Sequence, residues 1–350
     1  MLLPVLLGIA HGVSDAAAGL LVMRVIMLNF APESAMLILL YNGLAFGLQP
    51  LAGLLLDWLN QPRRGAAIGL LLTATGIVSA WESLPLGIFL AGLGSMFLHS
   101  GAGSVAITST PGKASAPGVF TAFGVVGLAI GSQLAFYFSA MTTAVLVVAL
   151  LGLALIIGLW RTSMAVQVDG KKVFLPDYLK TIAWVIVVVL VIAVALRSLV
   201  WVGISSGFAG YSQITLILAL AAGAGKLLGG FASDRFGWLR FTMVALAASI
   251  LLLVMGGNWF GAVLAGVFFL QSVTPLSIAA LGRLMPRMPG LAASLALGTA
   301  IILGGVPFML IPAGWFGIGI AVGALAISAL LYWWAIRFNK DQIVVSSIPA

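Results

Sequence analysis

Gly53-Leu54-Leu55-Leu56-Asp57 and Gly230-Phe231-Ala232-Ser233-Asp234-Arg235-Phe236-Gly237 are two copies of one pattern, a glycine followed four residues later by an aspartate. The two aspartates are 177 residues apart in a chain of 350. Each copy closes an apolar run and leads to basic residues, Arg63-Arg64 after the first and Arg240 after the second. The same offset pairs Gly127 with Gly304 and Gln49 with Lys226. The longest polar stretch, Arg161 to Lys180, falls almost halfway along the chain. This spacing predicts two related half-chains, each carrying its own copy of the pattern.

Composition decides what the halves are made of. Hydrophobic residues make up 62% of the chain and charged residues 7%, against about 25% charged in a soluble domain, and the mean hydropathy is +1.23. Soluble, disordered and fibrous classes are excluded, because none could keep so apolar a chain from aggregating. With no cysteine, disulfides, thiolate metal sites and cysteine nucleophiles are excluded as well.

A transmembrane helix needs about 20 apolar residues. Charge, Pro and Gly divide the sequence into twelve such spans, near 4–28, 35–57, 65–81, 85–108, 117–137 and 142–160, then 181–205, 211–232, 239–256, 259–282, 289–310 and 315–336. The first begins at Met1 without a basic flank and carries Asp15 in its middle; it is read as a helix rather than a cleaved signal. The expected fold is an all-α polytopic membrane protein of twelve transmembrane helices in two pseudo-symmetric six-helix bundles. Their expected limits are 1–160 and 181–338, with a cytoplasmic linker over 161–180 and a cytoplasmic tail over 339–350.

Net charge is +8, but 13 of the 16 Lys and Arg residues lie in the tail and in the loops after even-numbered spans. Loops rich in Lys and Arg stay in the cytoplasm, so both termini are expected there, in a multi-pass protein of the cell membrane. Nucleic-acid binding would need a clustered basic surface, which these scattered loops do not make.

The two Gly-x-x-x-Asp segments, each ending a helix six spans from the other, resemble the loop signature of the major facilitator superfamily. The second copy matches through Gly237; in the first, Trp58 and Asn60 depart from the pattern and Gln61-Pro62 displace the Arg pair. His11-x-x-x-Asp15, Gln49-Pro50, Phe97-Leu98-His99 and the glycine-spaced fifth span more narrowly resemble the fosmidomycin-resistance type. The superfamily resemblance implies cytoplasmic gates built from Gly53, Asp57, Arg64, Gly230, Asp234 and Arg235, in which carboxylates meet basic residues and helix ends. The glycines Gly124, Gly127 and Gly131, with Gly304-Gly305-x-Pro307, suit bending and tight packing.

Besides Asp57 and Arg240 at the very ends of theirs, six ionisable residues fall inside the predicted spans: His11, Asp15, Arg24, His99, Arg197 and Lys226. An ionisable group at the bilayer centre costs at least ~2.5–3.5 kcal/mol and is a functional candidate by default. His11 and Asp15, four apart, share a helix face, and desolvation there would suit Asp15 for proton coupling. Arg197 reads as an anion-binding group or a partner for Asp15. His99, Lys226, Asn42, Gln49, Gln133 and Gln271 are further candidates for a substrate cavity. Arg24, near a span end, reads as snorkelling to the interface.

These readings converge on a secondary active transporter by alternating access, acting as a monomer; the resemblance to the fosmidomycin-resistance type implies proton-coupled export of a small anionic solute or drug. A uniporter or proton-coupled importer on the same scaffold is the alternative, and an intramembrane transferase using His11 and Asp15 a remote one. No Gly-x-x-x-x-Gly-Lys-Ser/Thr loop occurs, so ATP-driven pumping is disfavoured. No cofactor or metal is expected: His11, Asp15 and His99 are suitable ligand types, but two helices with three ligands do not define a site from sequence.

Overall fold

The computed structural model describes residues 1–28, 31–160, 181–208, 211–257, 259–310 and 317–346. The expected linker over 161–180, with Arg161, Lys171, Lys172 and Lys180, lies outside the described residues, as do the connection after Leu310 and the end of the tail. Among the described residues all regular structure is helical.

The helices are α1 (Leu2–Met27), α2 (Ala31–Asn42), α3 (Gln49–Leu59), α4 (Pro62–Ser79), α5 (Leu84–Ser109), α6 (Ser115–Leu134) and α7 (Ala140–Leu159) in the first half. The second half holds α8 (Thr181–Gly207), α9 (Ser212–Phe236), α10 (Trp238–Met255), α11 (Phe260–Ser272), α12 (Thr274–Leu284), α13 (Pro289–Ser294), α14 (Ala300–Leu310) and α15 (Ile318–Ser346). Among the described residues, ten helical segments are long and apolar enough to cross a bilayer, and Pro289–Gly305 is a shorter apolar one. The chain is an all-α, multi-pass membrane protein. On α7, Met141, Val145, Val148, Leu155 and Leu159 form an exposed stripe at helical spacing, the surface a lipid-facing helix needs.

Three predicted spans are each built from more than one helix. A π-turn over Gly43–Gly47 joins α2 to α3, because Pro50 has no N–H for the Phe46 carbonyl and its ring crowds that turn. Pro275 lacks an N–H for Gln271 in the same way, and the helix breaks at Val273 between α11 and α12. A second π-turn, Leu295–Thr299, joins α13 to α14.

Packing repeats between the halves. In the first half α1 packs on α6, α4 on α5 and on α7, and α3 on α5; in the second, α8 packs on α14, α10 on α11 and on α15, and α9 on α11. Numbered by span, these are the same four pairings shifted by six. The seams between halves are related likewise: α3 meets α13, and α6 meets α9.

Gly127, expected to serve bending, sits in the α1–α6 seam, where a Cβ would collide with the Gly12 carbonyl. At its repeat partner Gly304 a Cβ would likewise collide with the Ala195 carbonyl, in the α8–α14 seam. Overpacking a core costs about 1–3 kcal/mol and more where backbone must move. Gly127→Val is therefore expected to lower the melting temperature of the purified protein sharply, whereas Gly305→Ala, which meets nothing within 4 Å, should leave it unchanged.

Candidate functional site

The two Gly-x-x-x-Asp segments make one contact twice. Asp57 Oδ1 accepts from the Gly290 N–H at 2.8 Å and Oδ2 from the Leu291 N–H at 2.9 Å. Asp234 Oδ1 accepts from the Ala114 N–H at 2.8 Å and Oδ2 from the Ser115 N–H at 2.9 Å. Each aspartate thus caps, from the opposite half, a helix that has no side-chain cap of its own. First-turn N–H groups lack partners within their helix and carry partial positive charge, so a carboxylate is the ligand they favour. The glycines explain how it arrives: a Cβ on Gly53 would lie 2.5 Å from the Gly290 carbonyl oxygen, and one on Gly230 2.7 Å from that of Ala114.

The basic residues expected beside these carboxylates are placed otherwise. Arg64 is exposed, and Arg235 is exposed with its guanidinium 5.8 Å from the Phe236 ring. Both carboxylates bind backbone amides instead, since two parallel N–H groups match a carboxylate's two oxygens. Asn60, a departure from the glycine signature, has φ 52°, and its repeat partner Gly237 has φ 87°. Asparagine tolerates the left-handed region better than most residues; the two turns share the positive φ but differ in ψ, 41° at Asn60 and 136° at Gly237.

Deeper in the first half lies a cluster drawn from α1, α5 and α6. His11 Nε2 is 3.1 Å from Asp15 Oδ2, and His99 Nε2 is 3.8 Å from Asp15 Oδ1. The other ring nitrogens face backbone carbonyls, His11 Nδ1 at 3.0 Å from Phe120 O and His99 Nδ1 at 2.7 Å from Ser95 O. A carbonyl only accepts, so each Nδ1 donates, and each ring in its uncharged form turns an Nε2 lone pair towards Asp15. Acceptors that face one another in this way have room for a shared proton or a cation. His11 and His99 are buried, and the Asp15 side chain is 14% exposed. His11 therefore stands in the α1–α6 seam, stacked on Phe120 at 4.6 Å, with Asp15 the more exposed of the two.

The second half supplies cations. Lys226, half-buried on α9, interacts electrostatically with both Asp15 and Arg197. Arg197 is buried; its Nη2 donates to Thr274 Oγ1 at 3.0 Å, and Thr274 donates to Gln271 Oε1 at 3.1 Å. Its Nε and Nη1 have no hydrogen-bond partner among the described residues. Arg197 is thus not the direct partner of Asp15, whose contacts are the two histidines, and two of its donors remain available. Gln49 is fully buried, and among the described residues neither of its side-chain polar atoms is bonded. Asn42 Nδ2 returns to its own helix at Ile38 O, 2.8 Å, and Gln133 is half-buried on α6. Arg24 lies over the Phe138 ring at 3.8 Å, a cation–π contact in place of simple snorkelling.

Neither a protein-family model nor a curated protein matches the sequence. Solved structures do. A single-residue variant of the E. coli fucose:proton symporter FucP aligns over 96% of this chain and 97% of its own, with a TM-score of 0.73 at 16% identity. FucP in the outward conformation aligns over the same shares, with a TM-score of 0.75 at 17% identity. A bacterial homologue of the iron transporter ferroportin, in its outward-facing state, aligns over 99% of this chain and 100% of its own, with a TM-score of 0.62 at 14% identity. The fold is that of a major facilitator transporter. The solved structures it resembles are transporters rather than enzymes.

Within this major facilitator fold, several contributors had no signal in the sequence. The carbonyls of Phe120 and Ser95 orient the histidines, and backbone has no residue type to betray it. Tyr41 is buried on α2 and lies in the field of Asp15, where it reads as one more apolar aromatic. Beside the second Gly-x-x-x-Asp contact, Arg283 lies 3.5 Å over the Trp238 ring, donates to the Gly112 carbonyl and interacts electrostatically with Asp234. Only the fold brings Arg283, from the end of the tenth span, to the end of the eighth.

Proposed function

We propose that this chain is a secondary active transporter that works by alternating access, exporting a small anionic solute in exchange for protons. The carrying observation is the opposition of two poles: a carboxylate and two imidazoles from the first half, and Lys226 with the partly unbonded Arg197 from the second. Asp15 with His11 is the proton-coupling site in this reading. Arg197, Lys226 and Gln271 bind the solute, with His99, Asn42, Gln49 and Gln133 as further lining. Asp57 and Asp234, with their glycines, hold the gate shut on the side that the Lys and Arg distribution assigns to the cytoplasm. The protein acts as a monomer in the cell membrane, with both termini cytoplasmic. Export follows from the resemblance to the fosmidomycin-resistance type; the likeness to a fucose:proton symporter supports import on the same scaffold as the second reading.

The test is flux in proteoliposomes under an imposed pH gradient, with small carboxylates, phosphates and phosphonates as solutes and a pH-sensitive dye inside. At least one solute is expected to move protons with it, and the sign of proton movement separates export from import. Hydrogen bonds to a charged group are worth about 1.5–3 kcal/mol, so Arg197→Gln should weaken that solute's binding about 10- to 100-fold. Solute flux without proton movement would leave only a uniporter.

A further inference from the structure

The His11–Asp15–His99 cluster has the construction of a metal site as well as that of a proton site. We propose that it binds one divalent transition-metal ion, of the zinc, cobalt or iron(II) class, through His11 Nε2, His99 Nε2 and the Asp15 carboxylate. One donor atom from each of the three residues lies within 4.8 Å of the others. Around a tetrahedral ion with bonds of about 2.0–2.2 Å, donors stand roughly 3.3–3.6 Å apart. His11 and Asp15 already meet at 3.1 Å, and His99 stands 3.8 Å from the other carboxylate oxygen. Closing the site thus takes donor-atom shifts of about 1 Å.

The surroundings point the same way. A metal-binding histidine almost always donates its second ring nitrogen to a carbonyl or carboxylate, which fixes the tautomer and aims the lone pair. Both histidines do so here, to Phe120 O and Ser95 O. His11 is further held by stacking on Phe120 at 4.6 Å and stands edge-on to His99 at 4.5 Å. Two imidazoles with one carboxylate suit zinc, cobalt and iron(II), whereas magnesium and calcium prefer all-oxygen shells. Three protein ligands leave a fourth position open, the pattern of an exchangeable site rather than a structural one. Asp15 is the most exposed of the three, its side chain 14% exposed against 5% and 6% for the histidines, so the ion enters and leaves on the Asp15 side. A divalent ion on one carboxylate leaves a net charge of +1 in the field of Lys226, which favours an anion as the fourth ligand.

This inference does not depend on proton coupling, because binding is measured on purified protein without flux, and flux can be measured with chelator present. Tag-free protein in detergent, stripped by chelator, is titrated at fixed pH with zinc by calorimetry and with cobalt by visible absorption. One equivalent per chain is expected, unaffected by millimolar magnesium. His11→Gln, His99→Gln and Asp15→Asn should each weaken it by at least about tenfold, the scale on which even outer-shell losses act. Glu33→Gln and Glu82→Gln, at exposed carboxylates, should not change it. Absence of stoichiometric binding overturns the proposal, as does unchanged affinity in a folded His99→Gln protein. If the variants fail to fold, X-ray absorption at the zinc edge of the wild type decides: scattering from two imidazoles supports the site, and its absence overturns it.

Discussion

Asp15→Asn is expected to reduce proton-driven flux to the rate of protein-free vesicles while the protein still binds solute and melts close to the wild-type temperature. Asparagine has the shape of the protonated acid and cannot release a proton, so it holds the cluster in one of its two states. The histidines keep their carbonyl partners, so their orientation survives. The amide can donate to the His11 lone pair that faces Asp15 at 3.1 Å, which is why folding should be spared. Exchange of labelled solute across the membrane needs no net proton transfer and should persist in the variant. The two assays together discriminate: loss of both would assign Asp15 to solute binding or to folding, and retention of proton-driven flux would remove it from coupling. Without the carboxylate the driving force of about 2.3 kcal/mol per charge per 100 mV has no carrier.

The parts of this protein that were legible in the sequence are those encoded in single residues at fixed spacing. Hydropathy gave the spans, because a lipid-facing helix must be apolar along its whole length. The Gly-x-x-x-Asp repeat gave the two halves, and the i, i+4 spacing of His11 and Asp15 gave half the cluster. Joining His99 to it needed the packing of α5 on α1. The partners of Asp57 and Asp234 were legible only as a kind: helix ends were expected, but main-chain amides leave no mark in sequence. Arg64 and Arg235 stand apart from the two carboxylates for a related reason. Arg235, next to Asp234, and Arg64, seven residues after Asp57, are exposed, while the aspartates turn across the seam. Arg197 shows the opposite limit. Its charge singled it out, but whether it met Asp15 or kept free donors depended on Thr274 and Gln271, at the break between α11 and α12.

The gate offers the second large effect. Asp57→Ala removes both acceptors of the Gly290 and Leu291 amides, and Asp234→Ala those of Ala114 and Ser115. Hydrogen bonds to a charged acceptor contribute about 1.5–3 kcal/mol each. Opening lets water take the place of the carboxylate, so about 2–3 kcal/mol per gate is the expected net loss. That shifts the closed-to-open ratio roughly 30- to 150-fold per aspartate. The two gates share no residue, and effects at independent sites add, so the double variant should shift the ratio by the product of the two factors. The native chain has no cysteine, which makes spin labels straightforward to place. Trp58→Cys on the first half and Pro286→Cys on the second, both exposed, give a distance across the seam by pulsed electron resonance. Wild type should show one short distance, each single variant a second longer one, and the double variant chiefly the longer. The comparison with Gly53→Leu is the more searching one. That change keeps both carboxylates but puts a side chain where even a Cβ would meet the Gly290 carbonyl and the Ser294 hydroxyl at 2.5 Å. If close approach is what lets Asp57 reach its amides, Gly53→Leu should open the seam as far as Asp57→Ala does. A seam that stayed shut in Gly53→Leu would mean that the carboxylate, not the glycine, sets the distance between the halves.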